Sequence, residues 1–516
     1  MGRHLFMLIK IILLLLFFGC MITVGLYARK SAGSTTDFVL GGRSVGPWLS
    51  AFAYGTSYFS AVVFVGYAGQ FGWKYGIAST WIGLGNAVIG SLIAWVIMGR
   101  RTRVMTHHLE VATMPDFFGR RYDSNVLKLV ASAIAFVFMI PYTASVYNGL
   151  SRLFGMAFDI PYTVCVVTMA VLTGVYVILG GYMAIAINDF IQGIIMLIGI
   201  VAVIAAVLLG QGGFMEAVRT LSELESDIPV TLGQKGAFTS FFGPDPLNLL
   251  GVIILTSLGT WGLPQMVHKF YAIKSEKAIK TGTIVSTFFA IIVSGGCYFL
   301  GGFGRLFDSP EIYKADGSIM YDAIVPSMLA TLPDILIGVV IVLVLSASMS
   351  TLSSLVLTSA STLTLDIIRG TIVKDMDDKK QLIYIRALIV FFIVISVVIA
   401  LNPPTFIAQL MGISWGALAG AFLAPFLYGL YWKGVTKAGV WASFICGVGI
   451  TVSNMFIKFI ASPINAGAAA MIVGLIVTPV VSLISPKLNK NFLDKVFKCY
   501  EETTSNVSRK EYLKED

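Results

Sequence analysis

The chain has 516 residues, 57% of them hydrophobic and only 12% charged, with a mean hydropathy of +0.85. Soluble domains carry about 25% charged residues, so this composition excludes a disordered chain and argues against a soluble one. The net charge of +9 matches the basic loops of a membrane protein rather than a nucleic-acid partner, since no basic patch interleaved with aromatics occurs.

A helix needs about 20 apolar residues to cross a hydrocarbon core of about 30 Å. Thirteen runs meet that length, at about 5–27, 46–72, 77–99, 127–156, 160–179, 183–210, 246–270, 278–303, 333–366, 383–401, 405–431, 437–459 and 465–485. The runs are continuous rather than alternating, which excludes a β-barrel. The expected fold is an all-α polytopic membrane protein with about 13 transmembrane helices. The first run reads as a span, because it is too long for a signal peptide and lacks a small-residue cleavage site.

Thirteen spans place the termini on opposite sides. One set of loops, with the tail after 485, carries 27 of the 36 Lys and Arg residues. The positive-inside rule makes that side cytoplasmic, with the N-terminus outside and the C-terminus inside, in the cell membrane. The loop 211–245 is acidic and lies outside; the tail 486–516 is charged and expected to be partly disordered. No Walker A sequence is present, so no ATP-driven step is expected. Cys20, Cys165, Cys297, Cys446 and Cys499 show no CxxC spacing, so neither a disulfide framework nor a zinc site is expected.

Two spans carry the residues of a broken helix, five spans apart. The second reads Gly46-Pro47-Trp48 through Gly55-Thr56-Ser57-Tyr58-Phe59-Ser60, and the seventh Thr256-Ser257-Leu258-Gly259-Thr260-Trp261-Gly262-Leu263-Pro264-Gln265. Paired interruptions of this kind mark inverted repeats with a site at mid-membrane. The division that follows is an extra helix and loop at 1–45, a first five-helix repeat at 46–210, the outer loop 211–245, a second repeat at 246–431, extra helices at 432–485 and the tail. The ninth span holds six hydroxyls in nine residues, Ser346 to Ser354. Such oxygens suit a hard cation, although small residues also build packing seams. Asp189 lies inside the sixth span, where an ionisable group marks a functional site by default. No Lys or Arg is expected mid-span, and the four histidines are placed near ends or in loops.

The run Phe38 to Pro47 resembles the start of the second helix in the sodium:solute symporter family. Gly180-Gly181-Tyr182-Met183 through Asp189, Met349 through Ser353, and Tyr431-Trp432-Lys433-Gly434 through Gly439 resemble that family as well. The resemblance spans about 5–485 and implies two inverted five-helix repeats with flanking helices, alternating access, and Na+ as coupling ion with no other cofactor. By position, the main sodium site would use the carbonyls of Thr56, Phe59 and Ala347 and the hydroxyls of Ser350 and Thr351. A further site found in some members would use Asp189, Ser350, Ser353 and Ser354. Tyr58 stands where proline-type members carry an acid and resembles pantothenate-type members, whereas Gly41-Gly42-Arg43-Ser44 looks proline-type. Substrate candidates are Tyr54, Tyr58, Tyr142, Tyr147, Thr256, Thr260, Trp261 and Gln265.

The expected function is therefore a sodium-coupled symporter in the lipid bilayer, importing a small organic solute. The solute would be pantothenate-like, another monocarboxylate, or an amino acid such as proline. A proton-coupled or uncoupled carrier, or a sensor on a transporter fold, stands as the alternative. An enzyme is disfavoured, since no nucleophile–base pair or metal set appears.

Overall fold

The computed structural model describes residues 2–158, 161–373, 376–402 and 407–512. The loop charge Lys374 and the end of the tail, 513–516, lie outside the described residues. Within them the fold is all-helical, with no named strand. Ten helices are long and apolar enough to cross a membrane, and an eleventh span arises if one bent pair counts as one crossing.

The chain opens with α1 (Gly2–Ala28). Helix α2 (Pro47–Tyr58) starts at a proline whose missing N–H costs nothing in a first turn. It stops at Phe59, in extended geometry. A helix restarts beyond Ser60 through the π turn Val62–Tyr67 and continues as α3 (Ala68–Tyr75). After a turn at Gly76, α4 runs over 80–108. Next come α5 (Asn125–Phe158) and the 49-residue α6 (Tyr162–Gly210).

Helix α7 (Pro246–Leu258) is capped by Asp245, whose carboxylate accepts from the Asn248 N–H. A 3-10 turn over Gly259–Trp261 separates it from α8 (Pro264–Ala272), which restarts at another proline with a 41° bend. Then follow α9 (Glu276–Gly301), α10 (Asp334–Thr362), α11 (Asp378–Leu401), α12 (Ile407–Tyr431), α13 (Lys437–Ile457), α14 (Pro463–Ile484) and α15 (Lys490–Tyr512).

At a rise of 1.5 Å per residue, 49 residues exceed one bilayer crossing more than twofold. Helix α6 is broken at Gly181, where φ is 54° and ψ is −146°. A Cβ there would also sit 2.5 Å from the Phe38 carbonyl oxygen, so only glycine fits. The helical run Val62–His108 is broken likewise at Gly76, with φ 60°.

Two faces are evident. On the basic face Arg43 donates to the Val111 and Tyr271 carbonyls, and Arg103 to the Ile273 and Lys274 carbonyls. Burial lowers the Arg43 guanidinium from its ordinary value, but an arginine keeps its proton regardless. Val45, just ahead of α2, exchanges backbone hydrogen bonds with Ala272 and Lys274 at the end of α8. The first broken helix therefore begins where the second ends. The first part of the tail packs against the bundle: Val496, Phe497 and Cys499 of α15 are buried, Tyr500 stacks on Arg101, and Lys433 pairs with Asp494 at 2.7 Å. Its apolar stripe finds a partner face, which a charge count alone does not reveal.

On the opposite face a vestibule of about 560 Å³ is lined by Gln70 and Lys74 of α3, Asn248 of α7, Asp227 of the loop 211–245, Arg305 after α9 and Asn465 of α14. Arg305 ties that loop down, donating to Asp227 at 2.6 Å and to the Trp73 carbonyl at 2.7 Å.

Candidate functional site at the two broken helices

The end of α2 leaves its last carbonyls without helical partners, and α10 presents its hydroxyls to them. Ser350 Oγ lies 3.1 Å from the Thr56 carbonyl oxygen, 3.2 Å from that of Ala347 and 2.9 Å from that of Ser346. Thr351 Oγ1 lies 3.3 Å from Thr56 O, 3.4 Å from Ser57 O and 3.2 Å from Ala347 O. Each hydroxyl has one proton to donate. Two protons therefore serve a larger set of converging neutral oxygens, a donor set matched to a hard monovalent cation. Phe59, with Ser60, Ala347 and apolar side chains such as Phe64 and Met196, lines a small neighbouring cavity of about 10 Å³, and its carbonyl is not among the oxygens that the Ser350 and Thr351 hydroxyls contact.

The hydroxyl cluster divides by role. Ser346 and Ser348 donate only back along their own helix, to Val342 and Val344, as packing residues do. Ser353 donates to the Ser350 carbonyl. Ser354 Oγ faces two partners, Ser57 Oγ at 2.8 Å and Lys269 Nζ at 2.8 Å.

That lysine corrects the sequence reading. Lys269 does not sit in a loop; helix α8 restarts at Pro264 and carries it inside, 1% exposed. Its Nζ lies 3.9 Å from Asp189 Oδ2 and 5.2 Å from the centre of the Tyr182 ring. His268 beside it, four residues before the end of α8, is also buried, its ring 5.3 Å from that of Tyr182. Asp189 is fully buried and none of Ser350, Ser353 and Ser354 hydrogen-bonds it among the described residues. Among those residues, too, no group of three His, Cys, Asp or Glu side chains converges on a metal position.

The eight substrate candidates are all buried but differ in what they have left to offer. Tyr54 Oη and Thr260 Oγ1 both donate to the Gly90 carbonyl, and Trp261 Nε1 to that of Ile89. Thr260 and Trp261 thus pin the second break to α4, and Tyr54 pins α2 to the same turn. Thr256 Oγ1 donates to its own helix at Val252. Tyr58 Oη donates to the Thr256 carbonyl at 2.5 Å and so joins the two broken helices. Tyr142 stacks edge-on to Trp415, ring centres 5.8 Å apart, and Trp415 lies 6.1 Å from Tyr58. Tyr147, five residues further along α5, lies on a different side of that helix from Tyr142. Among the described residues, both amide atoms of Gln265 lack a hydrogen-bond partner, and Tyr142 Oη and Trp415 Nε1, close to each other and to Ser60, make no well-aligned bond. Buried polar groups of this kind require a partner. Trp415, like Lys269, carries no signal in the sequence; nothing in its local run distinguishes it from packing aromatics.

The family model for the sodium:solute symporter family matches residues 38–447. The sodium/proline symporter of Staphylococcus aureus strain JH9 is 30% identical over 501 residues, covering 93% of this chain and 92% of that protein, and the one from strain USA300 gives the same figures. Among solved structures, a substrate-bound, outward-open Na+-coupled sialic acid symporter superposes with a TM-score of 0.74 at 17% identity, over 93% of this chain and 98% of that one. A nucleobase-cation-symport-1 family transporter superposes at 0.53 and 13% identity, over 89% and 97%. The fold is thus that of known cation-coupled transporters, and the chain belongs to the sodium:solute symporter family.

Proposed function

We propose that this protein imports a small organic solute through the cell membrane, driven by sodium bound where α10 meets the end of α2. The observation that carries the reading is the convergence of the Ser350 and Thr351 hydroxyls on the Thr56 and Ala347 carbonyls. The ligands come from the break of one helix and from a second, separate helix. A cation between them holds both in one arrangement, which is what coupling needs: differential binding to one state of the cycle.

The architecture we propose has thirteen spans, counting each half of the helical runs broken at Gly76 and Gly181 and each broken pair once. Spans two to six and seven to eleven form the inverted repeats. Supporting this, α2 begins beside the end of α8. Helices α4 and α9 also run antiparallel, Ser79 meeting Tyr298, Asn86 meeting Ser294 and Ser91 meeting Ser286. The basic face is then cytoplasmic, with the N-terminus outside, and the vestibule opens outward above a closed inner side.

The solute sits by Tyr58, Tyr142, Trp415 and Gln265, between the breaks. Aromatic walls with a few neutral donors fit a compact body carrying one carboxylate, such as proline or a pantothenate-like monocarboxylate. The test is a thermal-stability screen of the purified protein in sodium and in choline buffers, with proline, pantothenate, lactate, pyruvate, sialic acid and simple sugars. Stabilisation by one solute only in sodium supports the reading. Equal stabilisation in choline would replace it with a proton-coupled or uncoupled carrier.

A further inference from the structure

A buried ion pair lies beside the two broken helices. Lys269 and Asp189 face each other across the space between α8 and α6, both shut from solvent. Ser354 completes the set, with its Oγ 2.8 Å from the lysine Nζ. Ser354 lies one helical turn beyond Ser350 and Thr351, so the ammonium group stands about 5 Å along α10 from the oxygen cluster assigned to sodium. Its Tyr182 neighbour offers a ring face, which also favours a cation.

We infer that Lys269 is a tethered cation, which occupies the position a second sodium would otherwise take and limits the transporter to one sodium per cycle. The inference rests on the symport reading above. A carboxylate buried without a counter-charge is strongly disfavoured. Without the lysine, Asp189 and the hydroxyl of Ser354 would present a charged, oxygen-lined position for a free cation. With it, the charge is met by a group that cannot leave. The lysine rides on the inner half of the second broken helix, and Ser57 Oγ, 2.8 Å from Ser354 Oγ, belongs to the inner half of the first. The same contact therefore ties both halves to α10, next to the sodium that α10 helps to bind.

The experiment counts sodium ions with sodium alone as the probe. Purified full-length protein is titrated with NaCl at constant ionic strength in choline, reading thermal stability and bound radioactive sodium. The wild type is expected to bind one ion. Lys269→Ser is expected to lose stability in choline, to regain it in sodium, and to bind two ions with a steeper titration. Asp189→Asn leaves the lysine unpaired beside the sodium and should raise the half-saturating sodium several-fold. The Asp189→Asn/Lys269→Gln double variant removes both charges and should restore one-ion binding close to wild type. This pair of variants decides the matter even if Lys269→Ser does not fold. Two ions on the wild type, one ion on Lys269→Ser, or failure of the second charge change to rescue the first would overturn the inference. No sodium response in the wild type would instead fail the symport reading itself.

Discussion

The Tyr58 hydroxyl donates to the Thr256 carbonyl across 2.5 Å, a single bond that joins the break of one interrupted helix to the other. Thr256 stands at the last turn of α7, so its carbonyl has few other donors within reach. The Tyr58 ring stacks on Phe59 with centres 4.3 Å apart, and its hydroxyl crowds Gly90, whose Cβ would lie 2.3 Å from it. Ring and hydroxyl thus have separable jobs. Tyr58→Phe keeps the ring and strands the carbonyl, which costs about 1–3 kcal/mol. The expected outcome is a lower melting temperature and a several-fold weaker solute affinity, with sodium activation unchanged. Solute titrations of both proteins at saturating sodium check this.

The sodium assignment predicts an effect of the opposite kind. Thr351→Ala removes one oxygen from the cluster but leaves the aromatic wall intact. We expect the half-saturating sodium concentration to rise about tenfold, the equivalent of about 1.4 kcal/mol, while the ranking of solutes stays the same. Thr351→Ser, which keeps the oxygen, should lie near the wild type. Superimposable sodium-activation curves for Thr351→Ala and its parent would remove Thr351 from the site. Ser346→Ala serves as the control, because its hydroxyl only donates to Val342.

The long helices and both interruptions are legible in the sequence, because bilayer thickness sets the first and Gly, Pro and hydroxyl runs set the second. The pairing of Ser350 and Thr351 with Thr56 follows from the family resemblance together with those interruptions. Three features are not legible. Lys269 lies at the end of an apolar run among other basic residues, and only the restart of the helix at Pro264 turns it inward. Trp415 joins the rings of Tyr58 and Tyr142 through the packing of α12 against the two breaks, which no local pattern encodes. The tail helix α15 looks like a solvated charge run until Arg101 and Arg121 present their guanidinium faces to Tyr500 and Phe497.

Gly181 carries the turn in the longest helix. With φ at 54° and ψ at −146°, it holds a conformation that side chains resist by about 1–3 kcal/mol, and the Phe38 carbonyl blocks a Cβ as well. Gly181→Ala should therefore lower the yield of monodisperse protein and its melting temperature, whereas Gly19→Ala, where a Cβ meets nothing, should not. Size-exclusion profiles and thermal melts of the two variants provide the comparison.

The last prediction concerns the closed inner side. Arg43 Nη2 donates to the Val111 carbonyl at 2.6 Å, and Nη1 reaches the Tyr271 carbonyl at 3.4 Å. One guanidinium thus holds the start of the first broken helix against the end of the second, beside the backbone pairing of Val45 with Ala272 and Lys274. In the proposed orientation, both halves must part for solute to leave on the basic face. A hydrogen bond from a charged donor contributes about 1.5–3 kcal/mol, so removing it should shift the balance toward the inward-open state roughly 10- to 100-fold. The reporter is a cysteine at Ser50, fully buried on α2, in a cysteine-free background. In inside-out vesicles, Arg43→Ala should speed its labelling by a membrane-impermeant maleimide, and sodium should slow it again by favouring the outward state. Arg43→Lys should fall between, since an ammonium cannot span two carbonyls as the planar fork does. If labelling from that side is as slow in Arg43→Ala as in the parent, the latch is held elsewhere and the Val45 pairing alone closes the inner side.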